Sequence, residues 1–493
     1  MKKVERILYV TLSVLLVLCT GFLFYELITF KAIPNQFLFL AIAVFCVLDV
    51  LLILLVNFYF KKKVGRIISA IFMVLIMVVS GTVGYYVQAT NSMLEKISTP
   101  SRGANMVSVI VKESSDYETI QDLKEKTIGM LSTISKDRTE TCVKDIESHH
   151  VDFEIQKYDS LSGMVDAFYK DEVEAIILPE SSRSAITDME EFANFNKNTR
   201  VIFQTEIEVN NNTEAKSVDD ITSHSFNVLI TGSDSRVDIE ENARSDVNMV
   251  VTVNPNTQTI LLTSIPRDYY VTTVCDADDG CQNGAMDKLT HTGMNGVNTT
   301  KMTIENLLGI EINYTFKVGF DSVTEVVNAL GGIDVDVPEE AAVASSTQTK
   351  GFSIAAGQQH IDGKTALNFS RERYAYVDGD RQRNRNQQIV LMGIIDAVTS
   401  PSVLMNYTSL LEALGNTFET NLSSDEIASL VQFQLDKNPS WKIEQYMLDG
   451  TGDSLMCAEL GTTAYVMIPD QATVKAAKQK ISDVLHADTS TSE

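Results

Sequence analysis

FNVLITG (226–232), VNMVVTVNP (247–255) and QTILLTSIP (258–266) are three apolar runs packed into forty-one residues, and their reading decides the fold. The first reads as a buried strand. The other two read as strands joined at Asn254-Pro255-Asn256-Thr257, a turn sequence. Downstream, TTKMTIENLLG (299–309) has helical periodicity and NYTFKVGF (313–320) reads as a strand. DSVTEVVNALGG (321–332) reads as a helix closed by Gly331, and IDVDVPE (333–339) as a short alternating strand. RNQQIVLMGIIDAVTS (385–400) is an amphipathic helix, and the 405–435 region adds more helix. Strands alternating with helices give an α/β domain.

Charge gathers beside these apolar runs in three places. GSDSRVDIEENARSDVNMV (232–250) carries Asp234, Arg236, Arg244 and Asp246. SIPRDYY (264–270) carries Arg267 and Asp268. FSRERYAYVDGDRQRNRNQQ (369–388) carries Arg371, Arg373, Asp380, Arg381, Arg383, Arg385 and Gln387. Each is expected to follow an apolar strand, and open α/β sheets bind ligands beyond the carboxyl ends of their strands. Guanidinium groups suit phosphate through bidentate, charge-assisted bonds. A pair of aspartates suits Mg²⁺, which completes its octahedron with phosphate oxygens and water. The mixture is what a metal–pyrophosphate site requires; solvated surface ion pairs are the plain alternative. Arg383 and Gln387 are four apart and share one helical face near its N-terminal turns, where free N–H groups also favour anions.

Outward from this domain the chain changes character. Ile7 to Phe30, Phe37 to Phe60 and Ile67 to about Val87 are apolar runs long enough to cross a bilayer, with Glu26 and Asp49 the charges inside them. Lys2, Lys3 and Arg6 precede the first; Lys61, Lys62, Lys63 and Arg66 separate the second and third; Lys31 alone lies between the first two. The positive-inside rule then puts the N-terminus in the cytoplasm and everything after about residue 90 outside. NSMLEKISTPSRG (91–103) reads as a polar exit. MVSVIVK (106–112), KTIGML (126–131) and EAIILPE (174–180) read as strands, while YETIQDLKEK (117–126) reads as a helix start and DSLSGMVDAFYKDEV (159–173) is amphipathic. This smaller α/β region resembles extracellular solute-binding domains, or is a spacer on the same scaffold. NNNTEAKSVDDIT (210–222) reads as a linker. The expected layout is a membrane anchor over 1–90, an α/β accessory domain over 104–210, a larger domain over 223–485, and a disordered tail over 486–493.

The net charge is −25 although the anchor is basic, so the remainder is strongly acidic. That opposes non-specific binding to nucleic acid or anionic lipid, and the cytoplasmic side offers only short basic loops. Cys275 and Cys281 flank DADDG (276–280); a local disulfide and, with His291 nearby, a metal site are the two readings.

NVLITGSDSR, ARSDVNMVVTVNP, LLTSIPRDYYV, DKLTHT, KVGFDSVTEVVNALGGIDVDVPE, IDGKTALNFSRERY and DGDRQRNRNQQIV occur in that order between about 225 and 400. They resemble the catalytic domain of the LytR–CpsA–Psr (LCP) family. The three spans and accessory region resemble its capsule-associated, streptococcal-type members. The resemblance implies an α/β/α domain with a mixed central sheet. It implies transfer of capsular polysaccharide or a related glycopolymer from a polyprenyl-pyrophosphate carrier to peptidoglycan through a phosphodiester, with other capsule-assembly proteins as candidate partners. By motif, Asp234 and Asp246 hold Mg²⁺ or Mn²⁺. Arg244, Arg267, Arg371, Arg373, Arg383 and Gln387 bind the pyrophosphate, Asp380 orients the arginines, and Asp268 belongs to the PRD motif. The segment RNRNQQ departs from the family's usual ending, with Asn386 where an arginine often precedes the Gln pair. The base for the acceptor hydroxyl is Asp234, Asp246 or Asp268. VTEVVNALGG (323–332) and IVLMGIIDAV (389–398) are either ordinary core or the lining of a tunnel for the carrier chain. Two rival functions share the site: a sensor that binds the lipid pyrophosphate without chemistry, and a pyrophosphatase that uses water.

Overall fold

The computed structural model describes residues 3–30, 35–98, 103–132, 135–187, 189–209, 213–233, 242–276, 281–400, 409–410, 413–415 and 417–488. It divides into two compact units, Met1–Ser98 with Leu422–Ser440, and Thr99–Asn421 with Trp441–Glu493.

In the first unit, Val4–Thr29, Phe37–Tyr59 and Lys63–Glu95 are helical segments long and apolar enough to cross a membrane. Leu16, Val56 and Met73 pack between them, while most of their other large apolar side chains face outward, as lipid-facing residues must. The third helix continues to Ser98, so residues 91–98 of the polar exit are helical. Ser98 bonds Ser424 at the start of the helix Ser424–Lys437.

In the second unit, the smaller α/β region is a five-stranded sheet. It comprises β1 (Gly103–Lys112), β2 (Thr127–Leu131), β3 (Glu154–Tyr158), β4 (Ala175–Pro179) and β5 (Thr199–Val209), in the order β3-β2-β4-β1-β5. The helix start expected in 117–126 goes no further than a 3₁₀ turn, Ile120–Leu123. Lys124 leaves it extended and Glu125 takes a left-handed φ of 60°, which a helix cannot continue.

The larger region is built on six strands: β6 (Phe226–Ser233), β7 (Ser245–Asn254), β8 (Thr259–Ser264), β11 (Tyr314–Gly319), β14 (Phe418–Thr420) and β15 (Lys442–Met447). The order is β14-β11-β6-β7-β8-β15. The sheet is mixed, as expected: β11 and β15 run parallel to β6 and β8, and the other pairs are antiparallel. Alternate residues face opposite layers. Leu229, Val250 and Leu261 pack against the helices Val297–Leu308 and Gln471–His486; Met249, Val251 and Leu262 pack toward the helix Asp380–Thr399. Three further pairings complete the region. They are β9 (Tyr270–Thr272) with β10 (Met286–Lys288), β12 (Ile333–Val337) with β13 (Gly357–Ile361), and the hairpin β16 (Gly450–Cys457) with β17 (Thr462–Pro469). The Cys275–Cys281 disulfide is present, with Cα atoms 6.5 Å apart.

The two regions are not beads on a string. Cys457, Leu460 and Val466 of the hairpin share one core with Leu161, Met164, Phe168 and Ile176 of the five-stranded domain. Leu161 N–H donates to the Leu460 carbonyl at 3.1 Å. Gly461, φ +60°, turns so close to this joint that a Cβ would lie 2.7 Å from the Asp159 carbonyl.

Candidate active site

The ladder registers put Gly232, Val247, Ser264 and Met447 at one end of the six-stranded sheet, the carboxyl end of its parallel strands. Asp246 enters there at the start of β7, and Arg267 and Asp268 follow β8. Asp380 and Arg383 open the helix Asp380–Thr399. Side chains far apart in sequence thus converge in one largely buried charged cluster.

Arg267 Nη1 donates to Asp246 Oδ1 at 2.8 Å, and its Nε lies 3.7 Å from both Asp268 Oδ2 and Asp380 Oδ1. Arg383 Nη2 is 2.7 Å from Asp380 Oδ1. Burial alone would raise the Asp246 pKa, but Arg267, Arg244 and Arg383 outweigh it and hold the carboxyl well below the usual range. Burial works against the Arg267 charge too, yet Asp246, Asp268 and Asp380 raise its pKa. Arg383 goes the other way: burial lowers its pKa, Arg267 and Arg373 add repulsion, and Asp380 and Asp246 only partly compensate. Asp246 Oδ2, Arg267 Nε and Arg383 Nε are buried without a hydrogen-bond partner among the described residues. A carboxylate oxygen and guanidinium donors left open at one spot fit a divalent cation and an anion with several oxygens.

The other expected residues fall as follows. Arg244 is buried beside Asp246. Arg373 is close enough to repel Arg383, and its Nη2 donates to the Tyr374 hydroxyl at 2.7 Å. Arg371 ends the helix Gly363–Arg371; a helix, not a strand, therefore delivers this third cluster. Gln387 Nε2 reaches the Ser370 carbonyl at 3.4 Å. Arg381 and Arg385 turn away, to Asp449 at 2.7 Å and Asp378 at 3.1 Å. Asn386 is wholly buried and braces the Phe369 carbonyl and Tyr376 hydroxyl, a packing role. Asp234 and Arg236 lie outside the described residues.

Three supporting residues had gone unassigned. Thr290 donates its hydroxyl to Asp246 Oδ1 at 3.0 Å, and Lys288 Nζ lies 3.4 Å from Asp268. Both belong to the DKLTHT run, whose order in the motif series was the available signal. Glu372, 1% exposed, accepts the backbone N–H groups of Arg373, Tyr374 and Ala375 and so shapes the arginine-bearing loop. Nothing local in the sequence marks it.

Gln387 and Ser370 also line an apolar cavity of about 230 Å³. Val323 and Val326, with Val390, Leu391, Ile394 and Val398, line it against Ile230, Met249 and Phe316 of the sheet. Both stretches named as tunnel candidates contribute.

Residues 192–482 match the model of the LytR_cpsA_psr family. The chain is 34% identical over 233 residues to a polyisoprenyl-teichoic acid–peptidoglycan teichoic acid transferase TagU from Enterococcus faecalis, covering 46% of this chain and 71% of that one. It is 33% identical over 232 residues to the TagU of Bacillus subtilis, 47% of this chain and 70% of the relative. Among solved structures, B. subtilis TagV aligns at 28% identity over 53% of this chain and 98% of its own, with a TM-score of 0.44.

Proposed function

The chain belongs to the LytR–CpsA–Psr family, and from that premise we propose that it transfers a glycopolymer, capsular polysaccharide or a related wall polymer, from a polyprenyl-pyrophosphate carrier to peptidoglycan. The observation that carries the proposal is a juxtaposition along one helix. Asp380 and Arg383 sit in the charged cluster, Gln387 stands at the boundary, and Val390, Ile394 and Val398 continue into the apolar cavity. A charged head and an apolar tail side by side match an amphiphile with a pyrophosphate at one end and an isoprenoid chain at the other.

In this reading the acceptor sugar hydroxyl attacks the sugar-side phosphorus. The bond to the bridging oxygen breaks, lipid monophosphate leaves, and a phosphodiester joins polymer to wall. Phosphoryl transfer depends mainly on positioning and charge neutralisation. Arg244, Arg267, Arg371, Arg373 and Arg383 hold the phosphates, Gln387 fixes their register against the cavity, and Asp380 orients Arg267 and Arg383. Asp246, with Asp234, would hold Mg²⁺ or Mn²⁺, which supplies further neutralisation of phosphate charge. Asp246 is a poor base, because its arginine neighbours keep it ionised with little affinity for a proton. Asp268, 3.4 Å from Lys288 and 3.7 Å from Arg267, is the other described candidate for the hydroxyl proton. The three spans anchor the chain, with the second unit on the outer face where peptidoglycan lies.

The test is reconstitution of the full chain with lipid-pyrophosphate glycan, Mg²⁺ and a peptidoglycan acceptor. Polymer attached to the acceptor supports the transferase. Free sugar phosphate without attachment favours the pyrophosphatase. Tight lipid binding without turnover favours the sensor.

A further inference from the structure

Behind the charged pocket lies a second cluster, which the chemistry above does not use. Asp287 of β10, His291 one helical turn later and Cys457 at the end of β16 are all buried, and their ligand atoms lie within 4.8 Å of one another. Glu459 joins them: its backbone N–H donates to Asp287 Oδ2 at 2.6 Å, and its side chain is buried, 6% exposed, with Oε1 lacking any partner among the described residues. We propose that this is a metal site for a thiophilic divalent ion such as Zn²⁺, with Asp287, His291 and Cys457 as ligands and Glu459 buried beside them.

The plain alternative is a satisfied Asp–His pair, since His291 Nδ1 and Asp287 Oδ1 are 2.6 Å apart. That pair leaves two things unexplained. The Cys457 thiol lies against Asp287 with a long contact to the Leu455 carbonyl at 3.7 Å, and Glu459 keeps Oε1 unpartnered among the described residues. Charge counting favours an ion. A Cys457 thiolate with two carboxylates carries three negative charges, and one Zn²⁺ with the Arg138 guanidinium carries three positive ones, leaving His291 neutral. One sulfur, one imidazole nitrogen and one carboxylate oxygen are ligand types zinc favours, and around the ion such atoms stand about 3.3–3.8 Å apart. Binding would displace the thiol proton and the proton shared by Asp287 and His291, parting those two atoms by several tenths of an ångström.

Its position gives it something to hold. It ties β10 and the turn after it to the β16–β17 hairpin, the same hairpin that shares a core with the five-stranded domain. Arg138 of that domain reaches in as well, donating to Asn295 Oδ1 and the Met294 carbonyl at 3.2 Å each.

The test uses the full chain in detergent, stripped with chelator and then titrated with Co²⁺ or Zn²⁺. Co²⁺ should produce a thiolate-to-metal charge-transfer band, which an oxygen-ligated magnesium site cannot give. The band should persist in Cys142→Ser, whose thiol lies in another core, and vanish in Cys457→Ser. Zn²⁺ should compete it away and raise the thermal midpoint by several degrees, and His291→Ala should weaken binding by about tenfold or more. Absence of the band in the wild-type chain overturns the proposal whether or not the variants fold. So does a band that survives Cys457→Ser.

Discussion

Arg267 and Arg383 carry the same charge into the same pocket and fare oppositely. Arg267 faces three carboxylates, whereas Arg383 has one close partner and two arginine neighbours. Truncating them should therefore separate folding from binding. Arg267→Ala strands Asp246 as a buried charge without its direct guanidinium partner, and should cost about 3–5 kcal/mol of stability. Arg383→Ala removes a guanidinium that burial already disfavours, and should change stability by less than about 1 kcal/mol while abolishing anion binding. Denaturant unfolding of both variants, alongside inorganic pyrophosphate titration, checks this; equal stability losses would show that the two arginines share one structural role. Lysine at 383 keeps the charge but loses the fork, so it should restore binding only in part. The sequence could single out Arg383 because it shares a helical face with Gln387. The same phase turns Arg381 and Arg385 outward, onto Asp449 and Asp378, partners visible only once the fold is known. Glu372 escaped for a related reason: it acts through backbone N–H groups of a loop whose path the sequence does not announce.

At the scale of elements, periodic segments were legible and irregular ones were not. β6, β7, β8 and the helix Asp380–Thr399 follow directly from apolar periodicity. The β16–β17 hairpin did not: most of β16 is exposed and reads as polar, and its buried face is defined by a domain some three hundred residues earlier. The helix Asp380–Thr399 is where charge and apolar lining meet, so it offers the sharpest test of the lipid reading. Ile394→Trp should fill the cavity at a cost of about 1–3 kcal/mol from overpacking. Transfer from a long-chain carrier should fall at least tenfold while pyrophosphate binding persists; unchanged turnover on the long-chain substrate would make the cavity an ordinary packing defect. A smaller effect belongs to the β12–β13 hairpin. His360 Nδ1 pairs with Asp334 at 2.7 Å and Nε2 meets the Gly331 carbonyl at 3.0 Å. The Asp334 bond, then the Gly331 bond, raise its pKa above the ordinary value. The stabilisation is thus fully present below about pH 6.5 and fades as pH rises through the raised folded value. Because the pair is exposed, it should amount to a few tenths of a kcal/mol. His360→Gln should flatten that slope in unfolding measured from pH 5 to 9.

For the whole molecule, the decisive variable is which side of the membrane each segment occupies. The chain bears −25 overall, yet the loop between the second and third spans carries Lys61, Lys62, Lys63 and Arg66. Basic residues beside a span resist export, whereas long acidic segments are carried across largely regardless of charge. The first turn, holding Lys31 alone, lacks that resistance. An N-terminus inside, the Lys61–Arg66 loop inside and residues after 100 outside is the arrangement that satisfies both basic clusters at once. A phosphatase reporter that is active only when exported should therefore work when fused after residue 100 and fail when fused at residue 62. Replacing Lys61, Lys62, Lys63 and Arg66 with glutamine should produce a mixed population, because only Lys2, Lys3 and Arg6 would then oppose inversion. The reverse pattern, with the exported reporter silent after residue 100 and active at 62, would put the charged pocket in the cytoplasm, where it could not meet peptidoglycan, and transfer to the wall would fall with it.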